Sequence, residues 1–191
     1  TSSVKLKGEW SESVTAPLGF SNLLVVGVSP DRNVRCAFER ALAAELRSDT
    51  VKATASCAVM AVDAKLTREA IVEVVKSANA DAVVATSLVV VTQAGVTEGG
   101  SREERGGGYY KPVAYGYEYG YYGVYGEFET FQSVLSVSGA VELATNVYET
   151  QGAEKVYGMD IRAKNLESRG MALAMITPKI ASGLREDGVI R

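Results

Sequence analysis

The stretch LLVVGVSPDRNVRCAFERALAAEL, residues 23–46, is the strongest indication of fold class in this chain. Its first six residues carry no polar side chain at either odd or even positions, which is typical of a strand covered on both faces. Ser29 and Pro30 then favour the start of a helix, because serine caps free amides and proline needs no donor in the first turn. Apolar residues recur in that helix at helical spacing: Val34, Phe38, Ala41, Leu42 and Leu46. The stretch therefore predicts a buried strand followed by an amphipathic helix that packs on the sheet.

The charged residues of this helix are expected mostly on its polar side, with Glu45 as an exception on the apolar side. The residues assigned to the polar side are Arg35, Glu39, Arg40 and Arg47.

The next elements predict a parallel arrangement. Alternation of apolar and polar residues over 51–57 indicates a strand with one wetter face, toward an edge of the sheet. A helix follows, with Ile71, Val74, Val75 and Ala78 on one side, and residues 82–91 again form a strand that is apolar on both faces. Strands alternating with helices favour right-handed crossovers and parallel pairing, so the first half is α/β.

The second half has a different pattern. Residues 131–137, 141–148 and 155–163 predict strands, and a last helix over 167–187 is expected to kink at Pro178 and to end at Gly188. We expect an α/β fold with α+β character in its second half, built on a mixed sheet of about five to six strands with three helices. Residues 20–191 would form a single domain with an insertion at 95–127, preceded by an extended N-terminal tether, residues 1–19.

The Tyr/Gly-rich region, residues 106–126, reads GGGYYKPVAYGYEYGYYGVYG and holds eight of the ten tyrosines. Glycine supplies no packing surface and each buried phenol needs a hydrogen-bond partner, so we expect a loop or hairpin outside the core. The eight residues are Tyr109, Tyr110, Tyr115, Tyr117, Tyr119, Tyr121, Tyr122 and Tyr125. An extended backbone would place the alternate tyrosines from 115 to 121 on one face, which suits a protein-interaction surface. The alternative is a flexible low-complexity insertion without a specific ligand.

The two cysteines, Cys36 and Cys57, fall near the start of the first helix and near the end of the second predicted strand. In a strand–helix–strand unit these points lie at the same end of the sheet, so a disulfide is expected, and it would require an oxidising compartment. The alternative is two small buried hydrophobic residues in a reduced cytosol.

Several functional classes are disfavoured by composition. The net charge is −3, and the local cluster of arginines at 102–105 is neutralised by its own glutamates, so we expect no nucleic-acid partner. The chain has no histidine, no CxxC spacing and no glycine-rich nucleotide motif, so neither a metal nor a cofactor is expected. No apolar stretch approaches the roughly 18 residues of a membrane span. An alternative ligand site would lie at the carboxyl ends of the parallel strands, near Ser29, Asp31, Met60 and Asp63.

The order of segments resembles that of small bacterial envelope lipoproteins of unknown function. The resemblance covers roughly residues 20–190 and is carried best by Ala80-Asp81-Ala82-Val83-Val84 and by NVYETQGAEKVY, residues 146–157. It implies a fold similar to the amino-terminal domain of TolB and to envelope lipoproteins of the CsgG and LpoB kind, which act by binding.

This resemblance also implies a location. The mature protein would start at a lipidated cysteine upstream of Thr1, and residues 1–19 would tether a periplasmic domain to the outer membrane. The expected function is then non-enzymatic binding or scaffolding in the cell envelope, with another envelope protein or a second copy as partner. The alternative function is a small-molecule-binding or hydrolytic α/β domain that uses the strand ends.

Overall fold

The computed structural model describes residues 1–29, 31–61, 68–87, 110–112, 126–128 and 139–191. Within these residues the strands are β1 Ser3–Trp10, β2 Asn22–Val28, β3 Lys52–Ala55, β4 Ala82–Ser87, β5 Tyr110–Pro112, β6 Gly126–Phe128, β7 Gly139–Glu149 and β8 Lys155–Leu166. The helices are α1 Arg32–Leu46, α2 Ser56–Val59, α3 Arg68–Ala78 and α4 Arg169–Glu186.

Six of the strands form one mixed sheet in the order β1-β8-β7-β4-β2-β3. β2 pairs in parallel with both β3 and β4, whereas β4–β7, β7–β8 and β8–β1 are antiparallel. The predicted α/β fold with a mixed sheet is confirmed, and the second predicted strand, β3, is an edge strand as expected.

Helices cover both faces of the β2–β4 part of the sheet. Leu23 and Val25 point into a core shared with α1 and α4, and Leu24 and Val26 point into a second core with α3. All four side chains are fully buried. This two-sided burial is the physical reason for the continuous apolar run in β2.

Some element boundaries differ from those expected. The strand predicted over 51–57 ends at Ala55, because Ser56–Val59 turn into a short helix, and the described part of the chain has four helices rather than three. The strand predicted over 82–91 is described to Ser87, and the strand predicted at 131–137 lies outside the described residues.

The expected N-terminal tether, residues 1–19, is wrong for Ser3–Trp10, which form strand β1 of the main sheet. β1 pairs along its whole length with β8, from Ser3 opposite Lys164 to Trp10 opposite Tyr157. Val4 and Leu6 turn toward the helices while Lys5 and Lys7 are exposed. This strand has only a few apolar residues, all on one face, so the sequence pattern that would predict it is weak. Residues 3–10 form a strand because their backbone pairs with the edge of β8.

The last helix, α4, runs through Pro178, and Thr177 Oγ1 donates to the carbonyl of Leu173 one turn earlier. Gly188 follows the helix with a φ of +74°, as predicted, and the amide of Val189 donates to the carbonyl of Leu184. A Cβ at Gly188 would lie 2.7 Å from the Cβ of Pro17. Glycine is therefore required there by both the backbone and the packing.

Tyr157 fastens β1 and α4 to the sheet. Its ring stacks edge to face on Trp10 with centroids 5.3 Å apart, and its hydroxyl donates to the Asp187 carboxylate. Gly8 lies directly beneath this hydroxyl, where a Cβ would collide with it. Burial is the largest effect that raises the pKa of Tyr157, and the neighbouring carboxylate of Asp187 raises it further.

Tyr157→Phe is expected to lower the free energy of unfolding by about 1–2 kcal/mol at pH 8, because it removes a hydrogen bond to a charged group. The difference in free energy of unfolding between the wild type and the variant should shrink above about pH 10. The raised pKa means that the unfolded chain loses its Tyr157 proton first, so the wild type loses stability there and the variant has no Tyr157 to ionise. Urea unfolding of both proteins from pH 8 to 11 measures this, and a deficit that is constant with pH would contradict it.

Candidate functional site

The disulfide joins Cys36 and Cys57, which are 21 residues apart in sequence and 5.6 Å apart between Cα atoms. Cys36 lies in α1, and Cys57 lies in α2 directly after β3. The predicted pairing is confirmed. The bond holds α1 and α2 together at the carboxyl ends of the parallel strands.

The carboxylate of Glu39 lies beside this disulfide and is fully buried. It accepts hydrogen bonds from the amide of Gly27 at 2.8 Å, the hydroxyl of Ser56 at 2.6 Å and the amide of Cys57 at 2.8 Å. Burial raises the pKa of Glu39, and the hydrogen bond from Ser56 is the largest of the opposing effects. Glu39 thus links three elements, α1, the end of β2 and α2.

Arg35 lies one turn before Glu39 and is also buried, with 3% of its surface exposed. Its Nε is 3.8 Å from a carboxylate oxygen of Glu39, whereas Nε and Nη2 have no hydrogen-bond partner in the part of the chain that the structure describes. Our placement of both residues on the polar side of the helix was wrong, and Glu45 is exposed instead. The only sequence signal for the pair was its opposite charges four residues apart.

The described residues of the predicted alternative ligand site each make local structural contacts. Asp31, rather than Ser29, caps α1, because its carboxylate accepts from the amides of Asn33 and Val34 at 2.9 and 3.1 Å. The buried Ser29 hydroxyl accepts from the amide of Asp31. Met60 packs in the α3 core and Asp63 lies outside the described residues. A ligand at this site remains a prediction.

Of the eight tyrosines in the Tyr/Gly-rich region, Tyr110 lies in β5 and the others lie outside the described residues. β5 and β6 form a separate antiparallel pair, in which Tyr110 is opposite Phe128 and Pro112 is opposite Gly126. Pro112 and Gly126, which flank segment 113–125 in the sequence, are therefore neighbours across this pair.

The outer face of β1, β8 and the first part of β7 is polar and charged. Its exposed charged residues are Lys5, Lys7, Glu9, Glu142, Asp160, Arg162 and Lys164. Arg162 and Glu142 form an ion pair at 3.3 Å, and because both side chains are more than 70% exposed the pair adds little stability. An open cleft of about 610 Å³ borders this face and is lined by Lys7, Glu9, Trp10 and Asp160 among others. Such a cleft suits a polar or charged ligand rather than an apolar one.

Among the described residues, no three histidine, cysteine, aspartate or glutamate side chains are grouped as metal ligands would be. The helices described here are too short or too polar to cross a membrane.

No protein-family model matches the chain, and no curated protein matches it. Among solved structures, the chain is similar to PelC from Paraburkholderia phytofirmans in two crystal forms, both described as dodecamers. A single-site variant in space group C2 is 12% identical, with a TM-score of 0.47 over 95% of this chain and 98% of that chain. The PelC dodecamer in space group P6 is 13% identical, with a TM-score of 0.48 over 95% and 97%. At these values the similarity supports no conclusion about function or assembly.

Proposed function

We propose that this chain is a non-enzymatic binding domain of the bacterial cell envelope, of the TolB amino-terminal kind. It works in the periplasm, anchored to the outer membrane by a lipid upstream of Thr1. The Tyr/Gly-rich region is its contact surface, and the partner is another envelope component or a second copy of the chain.

The pairing of β5 with β6 is the observation that carries this proposal. It holds Pro112 and Gly126, the residues that flank segment 113–125 and its six tyrosines, on one antiparallel stem. A stem lowers the entropy that a glycine-rich segment loses when it binds. Tyrosine offers a large contact area and a hydroxyl at low entropic cost, so the segment suits protein recognition.

The Cys36–Cys57 disulfide supports the compartment. Disulfides persist in the periplasm and are rare in the reduced cytosol. The resemblance of residues 20–190 to envelope lipoproteins favours the same location.

The test replaces residues 113–125 by Asn-Gly. Because Pro112 and Gly126 are opposite each other, a two-residue turn closes the pair without disturbing its register. We expect unchanged thermal stability of the main domain and loss of the partners that the intact protein captures by cross-linking from envelope extract.

A length-matched set of variants separates the tyrosines from the loop itself. Serine at Tyr115, Tyr117, Tyr119 and Tyr121 together should abolish capture, whereas serine at Val113 and Val124 should leave capture intact. Equal capture by the wild type, the quadruple variant and the shortened loop would overturn the proposal.

The anchor has its own test. The full-length precursor, expressed in cells and labelled with a clickable palmitate analogue, should carry the label and fractionate with the outer membrane. An unlabelled protein in the cytosolic fraction would contradict the proposed location.

A further inference from the structure

The outer edge of β1 is an unpaired strand edge in the described part of the chain. β1 has β8 on one side and, among the described residues, no strand on the other. The amide of Ser11 donates to the carbonyl of Val156, its opposite residue in the β1–β8 register. Since hydrogen-bonded pairs alternate along an antiparallel ladder, Lys5, Lys7 and Glu9 also bond to β8. The backbone groups of the even-numbered residues, including Leu6, Gly8 and Trp10, therefore point away from the sheet.

We infer that a second copy of this chain pairs with this edge, β1 against β1 in antiparallel orientation, with Gly8 opposite Gly8 of the second copy. The two six-stranded sheets would become one continuous sheet about a two-fold axis. This surface is separate from the Tyr/Gly-rich region, and the inference does not depend on the function proposed above.

Both the free backbone hydrogen-bonding groups of β1 and the charges of its side chains favour this register. Centring on Gly8 makes Leu6–Trp10, Gly8–Gly8 and Trp10–Leu6 the hydrogen-bonded pairs between copies, which are the positions whose backbone groups are free. Lys7 then lies opposite Glu9 of the second copy, and Glu9 opposite its Lys7. These are non-hydrogen-bonded positions, where side chains approach most closely, and opposite charges there stabilise the pairing.

Neighbouring registers fit less well. Centring on Lys7 or on Glu9 places that residue opposite its own counterpart, and centring on Leu6 places Lys5 opposite Lys7 of the second copy. Each of these registers contains a like-charge contact, which the register centred on Gly8 avoids. Centring on Trp10 places Lys7 and Glu9 opposite serines. The sequence of β1, SVKLKGEW, therefore selects one self-complementary register. A role of its lysines in deterring edge-to-edge association is the competing explanation.

Sedimentation equilibrium over a concentration series tests the inference on the full chain. The wild type should associate reversibly to a dimer, and Lys7→Glu or Glu9→Lys alone should raise the dimer dissociation constant about tenfold or more, because each creates two like-charge contacts. The double variant Lys7→Glu with Glu9→Lys restores both opposite-charge contacts and should recover the wild-type constant. Lys5→Glu is the control, since Lys5 faces Ser11 of the second copy, and it should change the constant little.

The three substituted residues, Lys5, Lys7 and Glu9, have exposed side chains on one face of the strand, and circular dichroism verifies that each variant is folded. A wild type that stays monomeric at every concentration overturns the inference. So does a dimer whose constant is unchanged by both single variants, or one that the double variant fails to restore.

Discussion

Glu39→Ala is expected to lower the free energy of unfolding by about 3–5 kcal/mol, measured by urea unfolding at pH 7. The change removes the carboxylate that pairs with the buried guanidinium of Arg35. It also takes the acceptor from the amides of Gly27 and Cys57 and from the hydroxyl of Ser56. Unsatisfied buried donors and an uncompensated buried charge both destabilise the folded state.

Two variants show whether the buried charge is the cause. Glu45→Ala changes an exposed glutamate of the same helix and should alter stability by no more than about 0.5 kcal/mol. Arg35→Met, added to Glu39→Ala, removes the uncompensated charge while filling the space and should recover part of the loss. A loss below about 1 kcal/mol for Glu39→Ala, or no recovery in the double variant, would show that the pair is not held as described.

Replacing both Cys36 and Cys57 by alanine is expected to lower the free energy of unfolding by about 3 kcal/mol. The disulfide closes a loop of 21 residues and so restricts the unfolded chain, and it joins α1 to the short helix α2. Urea unfolding of the variant and of the oxidised wild type measures the difference.

A reducing agent provides the matched control for this prediction. It should lower the stability of the wild type toward that of the double-alanine variant, whose own stability should not change. Equal stability of oxidised and reduced wild type would contradict the prediction. Because the amide of Cys57 donates to Glu39, the losses from Glu39→Ala and from cysteine removal should be coupled rather than additive.

Elements with strong periodicity were predicted well, and the others were not. β2 and α1 were identified from residues 23–46, because a strand buried on both faces and a helix buried on one leave distinct patterns. β1 was missed, because an edge strand with one polar face carries few apolar residues. The pattern over residues 51–57 predicts a single strand and gives no sign of the short helix α2, since four residues are too few to show a helical period.

The candidate site was likewise predicted in part. The Cys36–Cys57 disulfide followed from the strand–helix–strand order, which places both cysteines at one end of the sheet. Burial of Arg35 and Glu39 did not follow, because a helical pattern assigns charged residues to solvent unless something else covers them. Their cover comes from α2 and the end of β2, which are distant in sequence from one another.

The α/β class, the parallel orientation of the first-half strands and the end of α4 at Gly188 could all be predicted from the sequence alone, because apolar periodicity and backbone preference are local properties. Three other features could be recognised only in the folded chain: residues 3–10 form a strand, Glu39 accepts hydrogen bonds from three donors, and the even-numbered backbone groups of β1 point away from β8. These features depend on contacts between residues that are distant in sequence. Such contacts follow from strand register and helix packing rather than from the local order of residues.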